Sequence, residues 1–176
     1  MKNVLLPLVL WAFALSGCVS APEGIVAVDR FDLNRYLGKW YEIARIENRF
    51  ERGTEQVSAV YSLREDGKVK VFNRGYDPVK KAWKTAEGKA KFAGDPNVGV
   101  LAVSFFGPFY GGYTVFDLDR EGYSWAMVAG NSRDYLWVLA RKPQMDSTLF
   151  DRLMAEAHAK GFDTTKVMRT RQGASR

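Results

Sequence analysis

The chain has 176 residues, of which 47% are hydrophobic and 26% are charged, so it can form one domain with a substantial core. The net charge of +6 could favour an anionic membrane surface, but basic and acidic residues alternate and form no cluster, which argues against nucleic-acid binding. One cysteine excludes an internal disulfide, and one histidine argues against a zinc site and histidine-based catalysis.

The N-terminal segment has the composition of an export signal. A short positive start, Met1–Asn3, precedes about a dozen apolar residues, a stretch too short to span a bilayer comfortably. The boundary Leu15-Ser16-Gly17-Cys18 resembles the lipobox of bacterial lipoproteins. This resemblance implies that residues 1–17 are a signal peptide and that Cys18 becomes an acylated N-terminus, carrying chains such as palmitate.

The residues after the cysteine set the expected location and the domain boundaries. Val19 follows the cysteine in place of aspartate, which by the same resemblance implies the outer membrane, with the domain facing the periplasm. We predict that residues 18–27 form the lipidated N-terminus and a tether, because they have little pattern. The domain is predicted at residues 28–170, and residues 171–176 are predicted to be a loose tail.

A short helix and a strand begin the domain. Asp32 is a predicted N-cap for a helical turn over residues 33–37, and Gly38 allows a sharp turn before Trp40. Strict alternation from Trp40 places Ala44 on the same face as the indole. A small residue beside a large one on this face predicts a closed floor with space above it.

Seven further strands follow at short intervals. They are predicted at residues 56–63, 68–74, 83–92, 100–106, 113–119, 123–129 and 135–141. The strand at 83–92 alternates most clearly, and its inward residues Ala86, Gly88 and Ala90 are small, which predicts free volume inside. Eight antiparallel strands with short connections predict an all-β, up-and-down barrel, because closure removes the unpaired edges.

The loop Gly107–Gly112 carries two aromatic residues, Phe109 and Tyr110, between glycines and a proline. One interpretation is a turn whose rings pack on a neighbouring strand. The other is an apolar border at the mouth of a cavity, or a surface for homodimer formation. Phe105 and Tyr113 on the flanking strands are expected on the same mouth side.

The pattern changes to a helical period near the C-terminus. A helix is predicted over about residues 146–160, with its apolar stripe on the outer wall, followed by a short strand at 167–170. His158 is interpreted as a surface residue of that helix, not as a catalytic base. Glu42 is interpreted as a buried structural carboxylate near Arg141.

These motifs together resemble the lipocalin family. Gly38-Lys39-Trp40 matches the G-x-W signature after a short helix, and Leu136–Arg141 matches the family's strand that ends in arginine. Tyr113–Asp119 lies where the second family motif is found, without the Thr-Asp-Tyr of animal members. The resemblance extends over about residues 25–170, and the runs 50–53 and 104–113 are similar to bacterial lipocalins in particular.

The resemblance implies a calycin-type barrel with one C-terminal α-helix packed outside. It implies that Gly38, Trp40 and Arg141 close one end, with the guanidinium on the indole in a cation–π contact worth roughly 1–2 kcal/mol. Bacterial lipocalins bind fatty acids and phospholipids and prefer lysophospholipids, so the implied partner is one of these lipids, with its tail inside the barrel. The residues assigned to the ligand-binding wall are Ala44, Ala86, Gly88, Ala90, Phe105, Phe109, Tyr110, Tyr113 and Trp137.

The expected protein is a membrane-anchored lipid carrier in envelope maintenance or stress, without enzyme activity, cofactor or metal. Two other classes remain open at this point. A structural or interaction lipoprotein would have a filled barrel and could dimerise through Gly107–Gly112. A periplasmic enzyme would use the barrel interior as an active site and would depend on His158 or Glu42.

Overall fold

The computed structural model describes residues 19–173, which form an antiparallel β-barrel with one helix packed on its outside. The predictions for the signal peptide and for Cys18 lie outside the described residues. The strands are β1 (Gly38–Ile46), β2 (Glu55–Leu63), β3 (Val69–Asp77), β4 (Ala82–Phe92), β5 (Val100–Phe106), β6 (Phe109–Leu118), β7 (Trp125–Ala129), β8 (Leu136–Ala140) and β9 (Val167–Arg169). The helices are α1 (Leu33–Tyr36) and α2 (Ser147–Ala159), with a 3-10 turn at Thr164–Lys166.

The two predicted helix caps are both formed. The carboxylate of Asp32 accepts hydrogen bonds from the backbone of Asn34 and Arg35, and that of Asp146 accepts one from Leu149. Each side chain therefore satisfies backbone donors that the first turn leaves without a partner. No helix within residues 19–173 is both long and apolar enough to cross a membrane.

Strands β1 to β8 each pair with their neighbours in sequence, β1 closes the barrel by pairing with both β8 and β2, and β9 pairs with the end of β1. The β1–β2 ladder covers only Gly38–Tyr41 on the β1 side. Beyond it the C-terminal segment lies between the two strands: the amide of Thr170 donates to Ile43, and the amide of Gln56 donates to Arg171. These hydrogen bonds supply partners for backbone groups of β1 and β2 that would otherwise be unpaired where the two strands separate.

The predicted loose tail is therefore wrong for its first residues. The side-chain amide of Gln172 donates to the carbonyls of Glu42 and Val57, and Arg171 pairs with Glu55. Residues 171 and 172 belong to the barrel wall because they join β1 to β2 where the direct ladder ends.

The barrel has one apolar layer inside and another between its wall and α2. The inner layer contains Val28, Phe31, Tyr36, Trp40, Tyr61, Val69, Val71, Ala90, Leu101, Val115, Leu118, Tyr123, Ala126, Val128 and Leu139. The outer layer joins Phe150, Leu153 and Ala157 of α2 to the outward residues of the strands. Alternation along the strands divides their side chains between the two layers.

A bulge in β1 breaks that alternation and overturns one prediction. The register with β8 shifts between Glu42 and Ala44. Ala44 consequently lies in the outer layer under α2, and Arg45 turns towards the interior with Glu42. Ala44 therefore cannot line the barrel interior, because one extra residue reverses the face of every position that follows it.

The N-terminal segment is packed on the barrel instead of forming a loose tether. Ile25 is buried in the outer layer, and Arg133 donates a 2.6 Å hydrogen bond to the carbonyl of Glu23. Further along, Val28 exchanges backbone hydrogen bonds with Val115 and Gly99. The described chain thus runs down the outside of the barrel before α1 begins.

Two other boundaries differ from the predictions. The loop predicted at Gly107–Gly112 is a turn at residues 107–108, because β6 already begins at Phe109. The first part of β4, Ala82–Glu87, is exposed on both faces, so the predicted half-buried pattern holds only nearer its end.

Candidate ligand-binding site

One end of the barrel is closed by the contact between Trp40 and Arg141. The guanidinium carbon of Arg141 lies 3.9 Å from the centroid of the Trp40 ring, as the resemblance implied. The same guanidinium donates to the carbonyls of Lys39, Arg35 and Tyr123, at 2.9, 2.6 and 3.2 Å. Trp40 is fully buried, and its indole nitrogen donates to the carbonyl of Tyr36 at 2.7 Å.

Residues around this contact complete the closure. The guanidinium of Arg35 lies 4.2 Å from the centroid of Tyr123, whose hydroxyl accepts a hydrogen bond from the amide of Asp32. Arg35 also donates to the carbonyls of Arg120 and Glu121. We call this the closed end, formed by α1 and by the connections at residues 64–68, 93–99 and 119–124.

Three tyrosines form a polar layer across the interior above the closed end. The hydroxyl of Tyr113 lies 2.7 Å from that of Tyr36 and 2.9 Å from that of Tyr61. Burial raises the pKa of all three phenols, that of Tyr61 to about 12, so this layer disfavours negative charge. Tyr113 was expected near the mouth, but its contact with Tyr36 of α1 places its hydroxyl at the floor.

The interior changes from filled to accessible on passing this layer. Towards the closed end, Val69, Leu101 and Val115 are buried. Towards the other end, Val57 and Arg45 are buried, but six inner-face residues are only partly buried or exposed: Asn73, Ala86, Gly88, Val103, Phe105 and Trp137. From Tyr113 to the start of β6 at Phe109 is four residues, or about 13 Å along the strand.

The small residues of β4 contribute in different ways. Ala86 faces the accessible region, and Ala90 is buried in the inner layer. A Cβ on Gly88 would lie 2.6 Å from the carbonyl oxygen of Ser104 and 2.8 Å from the ring of Phe105. Glycine is required there because the β5 backbone and Phe105 approach closely, so Phe105 occupies the volume that the sequence assigned to free space.

We call the four connections at the end opposite α1 the rim: residues 47–54, 78–81, 107–108 and 130–135. The rim's first connection reaches into the mouth. A carboxylate oxygen of Glu51 accepts a 2.9 Å hydrogen bond from the indole of Trp137 and a 2.8 Å one from the side-chain amide of Asn48. Trp137 is thereby held inside the barrel, where its partly buried ring packs against the inner layer.

Arg45 and Glu42 form a buried ion pair below this connection. The pair is 2.5 Å long, and both side chains are almost entirely inaccessible. Arg45 also donates to the carbonyl of Glu51 at 2.8 Å, and Thr170 donates to Glu42. Burial and the nearby charge of Glu51 raise the pKa of Glu42 to about 7, and Arg45 only partly offsets this.

The other assignments from the sequence agree with the structure only in part. Tyr110 points outward, where Lys91 lies 5.0 Å from its ring centroid, and Phe109 is exposed beside the rim. Glu42 is structural, as expected, but its partner is Arg45 and not Arg141. His158 lies exposed on α2, as expected.

Sequence reasoning did not select Tyr36, Tyr61, Arg45 and Glu51. Tyr61 could have been found, since it shares the inward positions of β2 with Val57. The position of Arg45 could not, because it depends on the bulge.

Two shallow depressions lie outside the accessible interior. One lies beside Asn34 and Asn97 at the closed end, and the other beside Lys142–Asp146. Both are open to solvent and neither could surround an alkyl chain. Within residues 19–173, no three His, Cys, Asp or Glu side chains lie close enough together to hold a metal ion.

Comparison with known proteins gives a consistent result. A model of the Lipocalin-like domain matches residues 31–172. The Vibrio cholerae protein named outer membrane lipoprotein Blc is 48% identical over 165 residues, covering 94% of this chain and 96% of that protein. The Escherichia coli K12 protein of the same name is 50% identical over 176 residues, covering 97% and 99%.

More distant relatives share the fold. Temperature-induced lipocalin-1 of Arabidopsis thaliana is 32% identical over 155 residues, covering 82% of this chain and 81% of that protein. Insecticyanin from the tobacco hornworm has a TM-score of 0.70 at 18% identity, covering 88% of this chain and 87% of the other. The cockroach allergen Per a 4 has a TM-score of 0.68 at 16% identity, covering 87% and 96%.

Proposed function

The chain belongs to the lipocalin family, and we propose that it binds a fatty acid or a lysophospholipid in its barrel, to store or transport that lipid for envelope maintenance. The relatives that are 48–50% identical over nearly the whole chain are outer membrane lipoproteins, and the protein is placed with them at that membrane. We further propose that it is acylated at Cys18, faces the periplasm and acts as a binding protein and not as an enzyme.

The main support for the proposal is the change in burial of the inner-face side chains along the barrel axis. A single-chain lipid needs an apolar, accessible wall that ends in a floor. Between the rim and Tyr113 the inner face of β4, β5 and β8 is partly accessible, although Arg45 and Val57 on β1 and β2 are buried, and between Tyr113 and Trp40 the inner face is filled. This arrangement argues against a barrel filled throughout, which a purely structural lipoprotein would need.

The electrostatics support a single orientation of the lipid. The floor is a layer of phenols whose raised pKa values show that buried negative charge is disfavoured there. Exposed Arg49 and Arg52 lie on the rim, together with Lys80 and Lys81. We therefore place the alkyl tail against the tyrosine layer and the carboxylate or phosphate at the rim.

A matched pair of substitutions on β2 tests the proposal. Ala59 is half-buried on the inner face, and Val60 is exposed on the outer face of the same strand. Delipidated protein is titrated with a lysophospholipid, and binding is followed by tryptophan emission. The wild type should bind saturably with one lipid per barrel. Ala59→Phe should weaken binding by about tenfold or more, because the added ring occupies the tail's volume.

Val60→Phe is the control and should bind as the wild type does. Urea unfolding of both variants establishes that each is folded. A flat titration of the wild type with fatty acids and lysophospholipids would contradict the proposal and favour the structural alternative. Unchanged affinity in folded Ala59→Phe would place the lipid outside the barrel.

A further inference from the structure

The exposed apolar side chains of the described chain are concentrated at the rim. Five large apolar residues on or next to three of its connections are exposed: Phe50 by 64%, Val79 by 90%, Trp83 by 45%, Phe106 by 78% and Phe109 by 77%. The other large apolar residues exposed within residues 19–173 are Val26, Val60 and Leu63, which belong to none of the four connections. Clustering of this kind marks an interaction surface, since single exposed apolar residues are normal.

Trp83 packs at the edge of the outer wall, against Tyr76 and against the guanidinium of Arg74 at 3.6 Å from its ring centroid, and the other four residues lie at the connections. Phe106 and Phe109 flank the two-residue turn between β5 and β6 and pair with one another across it. Val79 lies in the turn between β3 and β4, and Phe50 lies in the connection between β1 and β2. These side chains lie at three of the four connections around one opening, so their apolar surface borders most of the mouth.

Positive charge accompanies this apolar surface. Arg49 and Arg52 lie on either side of Phe50, and Lys80 and Lys81 follow Val79. All four side chains are exposed, and none forms a salt bridge with another residue between 19 and 173. Apolar side chains next to cations are what an anionic lipid surface attracts.

The start of the described chain lies on the same side of the molecule. The carbonyl oxygen of Ser20 approaches Gly112 of β6, whose amide donates to the side chain of Asn131 in the rim. Gly112 is three residues, or about 10 Å, from Phe109 along β6. Cys18 lies two positions before Ser20, and two residues span at most about 7 Å. An acyl group on Cys18 would therefore be attached next to the rim and far from the closed end.

We propose that the rim is a membrane-docking surface and that its partner is an anionic phospholipid bilayer. Phe50, Val79, Trp83, Phe106 and Phe109 enter the interface, and the four cations contact the phosphates. The mouth then faces the lipid surface, so that a single-chain lipid passes between bilayer and barrel without crossing water. The acyl anchor keeps the rim at the membrane, and the rim determines which end of the barrel faces it.

The test uses the acylated protein in vesicles and measures orientation, because the anchor alone keeps the protein bound. A cysteine at Val79 carries a polarity-sensitive fluorophore, and a second protein carries the same label at Asp95 in the closed end. The vesicles contain phosphatidylethanolamine and phosphatidylglycerol, with a lipid-borne quencher. The label at residue 79 should shift to the blue and be quenched, while the label at residue 95 should do neither.

Phe106→Ser with Phe109→Ser should then lower the ratio of docked to undocked protein about tenfold, since two exposed rings no longer enter the interface. Val60→Ser with Leu63→Ser removes exposed apolar residues outside the rim and should leave the ratio unchanged. Replacing phosphatidylglycerol with phosphatidylcholine should weaken docking about fivefold for each cation that contacts the surface.

Three results would overturn the proposal. Equal quenching at residues 79 and 95 would mean that the barrel has no preferred orientation. A signal that depends on protein density and not on lipid composition would identify a second copy of the chain as the partner. Unchanged docking without Phe106 and Phe109 would leave the rim without a role. Lipid titrations of the same variants in solution measure the barrel site separately, so failure of docking and failure of binding are distinguishable.

Discussion

The two ends of the barrel are each held by an arginine, in different surroundings. At the closed end Arg141 is partly exposed, lies on the ring of Trp40 and donates to three carbonyls. Towards the rim Arg45 is fully buried and contacts the carboxylates of Glu42 and Glu47, a hydroxyl and two carbonyls. Both guanidiniums satisfy several backbone oxygens, as the planar group with five donors allows.

The difference lies in what each arginine joins. Arg141 connects β1 to α1 and to the connection before β7, which covers the floor. Arg45 connects β1 to the rim connection 47–54 and to Thr170, in the segment that completes the wall between β1 and β2. The closed end is therefore held by stacking on a ring, while the wall near the mouth is held by a buried polar network that includes the C-terminal segment.

The largest effect is expected from removing the buried guanidinium. Arg45→Met should lower the free energy of unfolding by about 3–5 kcal/mol, because Glu42 and the carbonyls of Glu51 and Thr54 lose their donor while buried. Urea unfolding measures the loss. Arg64→Met, at an exposed ion pair with Asp66, is the control and should cost less than about 1 kcal/mol.

Hydrogen exchange locates that effect. Faster exchange is expected at the amides of Thr170 and Gln56, which pair across the β1–β2 opening. If Arg45→Met left these amides protected while stability fell, the C-terminal segment would not depend on the buried network.

The next largest effect concerns pH and Glu42. The pKa of this carboxyl is raised to about 7 in the folded protein, from an ordinary value of 4.5. Between these values the unfolded chain has lost the proton that the folded chain still holds, so stability falls as pH rises and then levels off above about pH 7. The group's contribution declines by about 3 kcal/mol over this range.

Glutamine has nearly the shape of protonated glutamate and does not ionise. Glu42→Gln should therefore remove the decline of stability with pH. The variant should match the wild type near pH 4 and be the more stable protein at pH 8, measured by urea unfolding at several pH values. Glu65→Gln, exposed in the connection 64–68 and away from Arg45, should retain the wild-type pH dependence. A variant that is less stable than the wild type at pH 8 would mean that Glu42 is needed as the ionised partner of Arg45.

A smaller loss is expected at the closed end. Arg141→Met should cost about 2 kcal/mol, because a cation–π contact and three hydrogen bonds disappear where water can partly replace them. Hydrogen exchange should quicken at the amide of Asp32, which donates to Tyr123, and stay unchanged at Thr170. Exchange that quickens equally at both amides would show that the two ends of the barrel are not independent.

The sequence was a better guide to the closed end than to the mouth. Gly38, Trp40 and Arg141 belong to motifs that resemble those of a known family. The expected contact between Trp40 and Arg141 is present. The eight strands were predicted within a few residues, because alternation and turns are local properties. The interior of β4 was misjudged, since Phe105 of another strand occupies the volume beside Gly88.

The barrel wall near the rim could not be predicted, because the contacts that determine it join residues distant in the chain. No glycine or proline marks the bulge between Glu42 and Ala44, so strict alternation from Trp40 placed Ala44 on the wrong face. The role of Gln172 depends on the separation of β1 from β2, more than 100 residues earlier in the chain. Contacts of this kind join segments that are distant in the chain. They produce no local residue pattern that could be recognised in a single sequence.

The smallest effect is expected where the two regions meet, at the tyrosine layer. Tyr113→Phe removes the hydroxyl that contacts both Tyr36 and Tyr61 and leaves two buried phenols without that partner. Stability should fall by about 1–2 kcal/mol in urea unfolding. Affinity for a lysophospholipid should stay within about threefold, because the tail, and not the charged head, meets this layer. Tyr110→Phe, on the outer face of β6, is the control and should change neither quantity. A loss of affinity of tenfold or more in Tyr113→Phe would reverse the proposed orientation, since it would mean that the phenol donates to the lipid's carboxylate or phosphate.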